Sequence, residues 1–129
     1  MSDHGTKTDQ LPLLLLVEDS HTTTALLSKY LGSSYEMLHA VDGMEAWRML
    51  EANPDIDVVI TDINMPGMNG IDLVQSLRAL PDCKFIPILV LTTEAGADLK
   101  QKGKSAGATG WIVKPFNPEV LLETLKKVL

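Results

Sequence analysis

The strongest constraint on the fold of this chain is an alternation repeated five times: a short apolar run of strand length, then a longer stretch in which apolar residues recur at helical spacing. The runs are Pro12 to Glu18, Tyr35 to Ala40, Val58 to Asp62, Ile86 to Leu91 and Thr109 to Val113. The helical stretches are Ser20 to Leu31, Met44 to Ala52, Ile71 to Leu80, Ala95 to Ala106 and Pro118 to Leu129. A parallel strand pair needs a crossover of roughly a dozen residues or more, which a helix supplies. The last three runs are nearly continuously apolar, as strands covered by helices on both faces must be. Because such crossovers are right-handed, the pattern predicts a doubly wound α/β sandwich of three layers around a five-stranded parallel sheet, with strand order 2-1-3-4-5.

The helices carry their own signals. In the first, Ala25, Leu26, Leu27 and Leu31 read as the buried stripe, ended by Gly32; in the second, entered through Asp42-Gly43, Trp47 and Leu50 face inward. Ile71, Val74 and Leu77 share one face of the third, and Leu121, Leu125 and Val128 one face of the fifth, where Pro118 suits the first turn. The fourth contains Gly96 and Gly103 and few large apolar residues, which makes it the weakest helix by propensity. The length of 129 residues suits one domain, residues 11–129, preceded by a polar tail, 1–10, expected to be flexible.

Charge and cysteine content narrow the chemistry. With 17 acidic against 11 basic residues the net charge is -6, so no nucleic acid is expected as a direct partner. Cys83 is the only cysteine, which rules out an intrachain disulfide and a thiolate metal cluster. The longest apolar run, Leu11 to Val17, is broken by Pro12 and too short to span a bilayer, and the first ten residues lack a signal-peptide pattern. No membrane insertion and a cytoplasmic location are therefore expected.

Polar groups sit where the apolar runs end. Glu18 and Asp19 follow the first run, Asp62 ends the third, Thr92 follows the fourth and Lys114 the fifth. In an open α/β sheet, ligand sites form beyond the carboxyl ends of the strands, so all of these ends converge. Three acids, a hydroxyl and a lysine in one crevice suit a cation and a phosphoryl group. Individually each has a plainer reading, as a turn residue or a solvated side chain; together and in this order they do not.

Four segments carry a resemblance: Leu16-Val17-Glu18-Asp19-Ser20, Asp62 through Gly70 (DINMPGMNG), Leu91-Thr92-Thr93-Glu94, and Gly107 through Phe116 (GATGWIVKPF). They resemble the receiver domain of two-component response regulators from about Leu13 to Leu129, and most of all the single-domain chemotaxis regulators of the CheY type. The resemblance implies a flavodoxin-like, CheY-like sandwich in which Asp62 is the phosphoacceptor, attacking a phosphohistidine to form an aspartyl phosphate. It implies Mg²⁺ (or Mn²⁺) held by Asp19, Asp62 and the main-chain carbonyl of Asn64, with Glu18 acting through water. Glu18 departs from the pattern, since many receivers have Asp there. By the same resemblance Lys114 and Thr92 contact phosphoryl oxygens, the Lys114-Pro115 peptide is cis and aims the lysine inward, and Thr92 and Trp111 form the switch. Asn64 and Glu94 flank the path of the hydrolytic water and tune dephosphorylation toward the fast end of the family's range.

The implied partners are a histidine kinase or histidine phosphotransfer domain upstream and a protein target downstream, such as a flagellar motor switch protein, bound through the face of helix four, strand five and helix five. The chain is then no enzyme beyond self-phosphorylation from phosphodonors and autodephosphorylation. An aspartyl-phosphate phosphatase of the haloacid-dehalogenase type would want a second Asp two residues after the nucleophile, where this chain has Asn64. A pseudo-receiver would lack some of the acids, Thr92 or Lys114. A receiver belonging to a larger regulator stays open. Thr93 competes with Thr92 for the hydroxyl role. Trp111 has a plainer reading as a strand aromatic, Lys100, Lys102 and Lys104 as a solvated face, and His4, His21 and His39 are scattered without metal spacing.

Overall fold

A computed structural model describes residues 11–63, 70–93 and 97–129. The elements run β1 (Leu13–Val17), α1 (His21–Leu31), β2 (Glu36–Ala40), α2 (Gly43–Ala52), β3 (Val58–Asp62), α3 (Gly70–Arg78), a 3-10 turn (Pro81–Cys83), β4 (Ile88–Thr92), α4 (Ala97–Ala106), β5 (Gly110–Val113) and α5 (Pro118–Val128). All four strand pairings are parallel and the order is β2-β1-β3-β4-β5, as the alternation predicts. The proposed tail, 1–10, lies outside the described residues.

Strand alternation sorts the core into two layers. Leu14 and Leu16 of β1, Val58 and Ile60 of β3, and Leu89 and Leu91 of β4 pack with Leu27 and Leu31 of α1 and Leu121 and Leu125 of α5. The intervening residues Leu15, Val17, Val59, Ile88 and Val90 pack on the other side with α2, α3 and α4 through Leu50, Leu73, Val74, Leu77 and Ala106. Three helices open on side-chain caps: Ser20 accepts from the Thr23 amide, Asp42 from Glu45, and Asn117 from Glu119.

Three expectations need correction. Ala25 and Leu26 are exposed rather than part of the buried stripe of α1. With Leu27 and Leu31 centred on the sheet, the helical angle of about 100° per residue turns Leu26 by about 120° and Ala25 by about 140° away from it, so both face outward. The third helix stops at Arg78, before the 3-10 turn that begins at Pro81, and β4 starts at Ile88 rather than Ile86.

Both of the shifted boundaries lead to Arg78. Its Nη1 donates to the carbonyls of Cys83 (2.9 Å) and Ile86 (2.6 Å), while Nε and Nη2 donate to the carbonyl of Gly107 (2.9 and 2.8 Å). The Ile86 carbonyl is thus held by a guanidinium, and Pro87 has no amide to offer a ladder. Gly107 is at φ +111°, and a Cβ there would lie 2.9 Å from Cγ of Arg78. Position 107 therefore requires glycine both for its backbone and for the close approach of the arginine.

Candidate functional site

The site follows from the same alternation carried one step beyond the sheet. Glu18 lies two residues past Leu16, Asp62 two past Ile60 and Lys114 two past Ile112, all on the α1/α5 face of their strands. Backbone bonds extend the ladders to hold these ends: Glu18 donates its amide to the Ala40 carbonyl (2.9 Å), Ile63 to Leu91 (3.1 Å) and Lys114 to Thr92 (2.7 Å). The side chains then meet. Lys114 Nζ donates to Asp62 Oδ2 at 2.9 Å and to Glu18 Oε1 at 3.3 Å. Glu18 is fully buried and Asp62 is 3% exposed, whereas Asp19 is exposed at the mouth. The Lys114-Pro115 peptide is cis.

Glu18, Asp19 and Asp62 each present a carboxylate oxygen within 4.8 Å of the others. Such a set of hard oxygen donors fits a hard divalent cation. The electrostatics without a cation are strained in one direction. Burial, a hydrogen bond with Asp62 and the charge of Asp62 push the Glu18 carboxyl up to about 7, against the lowering influence of Lys114 and the Ser20 amide. For Lys114, burial acts to lower the ammonium, but Asp62 and Glu18 outweigh it and the net shift is upward. One lysine thus serves two buried acids, an imbalance that a divalent cation would correct.

Glu18, expected to act on a metal mainly through water, has both of its carboxylate oxygens engaged by the protein. Its Oε1 faces Lys114, and its Oε2 accepts from the amides of Asp19 (3.0 Å) and Ser20 (3.4 Å). The glutamate arm thus folds back over its own turn. Thr92 is buried and continues the β4 row of Ile88 and Val90, on the face opposite Asp62, while Thr93 is exposed. Trp111 lies on that same face, in register with Val90, and its half-buried ring packs on α4, where a Cβ at Gly103 would be 2.4 Å from Cζ3. The glycine counted as a weakness of the fourth helix is therefore the seat of the indole. Asn64 and Glu94 lie outside the described residues.

Two polar residues at the edge of the site escaped the sequence reading. His39 on β2 places Nε2 at 2.7 Å from the carbonyl of Glu18 and 3.2 Å from Thr24 Oγ1 in the first turns of α1. The only signal for them was a histidine in the alternating row Met37, His39 of a strand whose neighbour ends in the acidic pair.

A family model for the response regulator receiver domain matches residues 14–126. The chain belongs to the response regulator receiver family. This receiver is 48% identical over 118 residues to chemotaxis protein CheY1 of Helicobacter pylori, a match covering 90% of this chain and 95% of that protein. It superposes on chemotaxis protein CheY4 of Vibrio cholerae with a TM-score of 0.87 at 46% identity, covering 92% of this receiver and 99% of that chain. The receiver domain of a Pseudomonas aeruginosa sensor histidine kinase, solved with a magnesium ion coordinated in its active-site cleft, is 26% identical with a TM-score of 0.84 and covers 92% of this receiver and 97% of that chain.

Proposed function

We propose that this receiver is a phosphorylation-controlled binding switch of the chemotaxis type, in which Asp62 takes a phosphoryl group from a histidine kinase or histidine phosphotransfer domain. The observation that carries the reading is Lys114 Nζ at 2.9 Å from Asp62 Oδ2 inside a cluster of three carboxylates. A buried carboxylate with a cation at its oxygen and hard-metal donors beside it suits attack on phosphorus. A carboxylate oxygen of Asp62 bonds to phosphorus while the P–N bond of the donor breaks, its electron pair staying on the histidine ring.

Bound Mg²⁺ or Mn²⁺ would supply charge neutralisation between the two anions, held by Asp19, Asp62 and the Asn64 carbonyl. Lys114 contributes a second cation, already at the carboxylate, that moves onto the phosphoryl oxygens, and Thr92 offers its hydroxyl to one of them. Glu18 keeps Lys114 in place and takes part in the cation site through water. Asn64 and Glu94 tune hydrolysis of the acyl phosphate.

Output runs through the face of α4, β5 and α5 to a protein target, with a flagellar motor switch protein as the chemotaxis candidate. Support for this face is that Thr92 and Trp111 share one side of the sheet, so movement of the threonine toward a phosphoryl group frees space next to the row that carries the indole. A cytoplasmic setting agrees with the absence, among the described residues, of any helix long and apolar enough to cross a membrane. The test is acetyl phosphate with Mg²⁺ followed by intact-mass spectrometry: wild type gains one phosphoryl group and Asp62→Asn gains none, whereas equal labelling of both would remove Asp62 from the role.

A further inference from the structure

The Glu18–Asp19 peptide unit is held at both of its polar atoms. Its N–H, on Asp19, donates to the Glu18 side chain at 3.0 Å, and its C=O, on Glu18, lies 2.7 Å from His39 Nε2. A carbonyl oxygen can only accept, so this contact requires the proton on Nε2. The same N–H is then shared with Thr24 Oγ1 at 3.2 Å, whose oxygen accepts as the weaker partner. One residue earlier, the Glu18 amide is tied to the Ala40 carbonyl of the same strand, β2. The turn that delivers the two acids from β1 is therefore fastened to β2 from both sides, by the backbone of Ala40 and by the side chain of His39.

A peptide plane pinned at its C=O and at its N–H cannot rotate about the chain, and the Cα of Asp19 is rigidly attached to that plane. Asp19 is the exposed member of the acidic cluster and has no burial of its own to orient it. We infer that His39 is a positioning residue for the cation site, acting through the Glu18 carbonyl to aim the Asp19 carboxylate at the cluster, an inference that rests on the cation-dependent reading of the site. Groups that orient ligands from behind affect metal affinity by about 10- to 100-fold when removed, far more than a surface hydrogen bond affects stability.

The experiment is calorimetric titration of Mg²⁺ into the full chain carrying His39→Gln, His39→Asn or His39→Leu. The glutamine amide nitrogen reaches the place of Nε2 and can donate to the same carbonyl, while the asparagine amide stops one bond short. We expect His39→Leu and His39→Asn to weaken Mg²⁺ binding by about 10-fold or more and His39→Gln to stay within about threefold of wild type. Labelling of all three by acetyl phosphate at saturating Mg²⁺ should approach the wild-type rate. Should His39→Leu fail to fold, the glutamine and asparagine variants decide the matter. Equal Mg²⁺ affinity in all folded variants, with only urea midpoints altered, would make His39 merely structural and overturn the inference. Equally weakened binding in the glutamine and asparagine variants would overturn it too, because the donor would then not be what matters. Wild type that binds no Mg²⁺ would defeat the cation site itself, whereas wild type that binds Mg²⁺ and is labelled at Asp62, alongside unaffected variants, would defeat only the part given to His39.

Discussion

Gly103→Ala should destabilise this receiver, although an alanine in a helix interior normally stabilises. The new Cβ would lie 2.4 Å from Cζ3 and 2.9 Å from Cε3 of Trp111. Overpacking of this kind costs about 1–3 kcal/mol, whereas exchanging glycine for alanine in a helix gains about 1 kcal/mol. The net expectation is a loss of about 0–2 kcal/mol. In a Trp111→Ala background the clash disappears and only the propensity remains, so the same substitution should stabilise by about 1 kcal/mol. The change of sign is the diagnostic, and the double-mutant cycle returns a coupling of about 1–3 kcal/mol. Urea unfolding measures it, provided that the slope of free energy against denaturant is shared by the four proteins. In a Trp47→Phe background, Gly103→Ala should also shift Trp111 emission to longer wavelength as the ring leaves its seat. If alanine stabilises both backgrounds equally, the indole does not sit on Gly103 and the proposed path from Thr92 to the α4 surface loses its anchor.

Arg78→Met should cost about 4.5 kcal/mol or more, since charge-assisted bonds of about 1.5–3 kcal/mol each to Cys83, Ile86 and Gly107 are lost together, yet labelling of Asp62 by acetyl phosphate well below the melting point should be unchanged. In chelator, folded Glu18 keeps its proton up to a pH of about 7 while the unfolded chain releases it near 4.5. The metal-free fold therefore binds the extra proton in that window and loses stability as pH rises across it, a slope in the urea midpoint that Glu18→Gln should flatten. Mg²⁺ at about 100 times its dissociation constant should add about 2.7 kcal/mol and raise the melting temperature, whereas Asp19→Asn should stabilise the metal-free protein and blunt that response, both read from thermal melts.

What the sequence makes legible here is what depends on local period. Strand rows, helix faces other than that of α1, the strand order and the convergence of Glu18, Asp62 and Lys114 follow from alternation and from the rule about strand ends. The burial of Thr92 over Thr93 follows in the same way. Most of the misses involve contacts between segments apart in sequence. Ile86 looks like strand because it is apolar, but its carbonyl belongs to Arg78, eight residues earlier. Gly103 looks like a helix defect until the indole of β5 is laid across it. His39 is a stray histidine in sequence, 21 residues from the carbonyl to which it donates. The register Leu16↔His39 and Val17↔Ala40 brings it to the acidic turn, and no feature of residues 36–40 alone encodes that register. The stripe of α1 was misjudged because Ala25, Leu26 and Leu27 are consecutive, so apolarity could not say which of them faces the sheet.

A covalent bond between Asp62 and phosphorus is the centre of the proposed switch, and its most direct measurement is reductive trapping. The receiver is phosphorylated in Mg²⁺ by a purified histidine kinase or by acetyl phosphate, reduced with borohydride, digested and sequenced by tandem mass spectrometry. An acyl phosphate is reduced to an alcohol while a free carboxylate is not, so homoserine should replace aspartate at position 62 and nowhere else, and only in samples that received both donor and Mg²⁺. Reduction at Asp19 or Glu18 instead, or no reduced residue in a chain that has gained a phosphoryl group, would contradict the assignment of Asp62 as the phosphoacceptor.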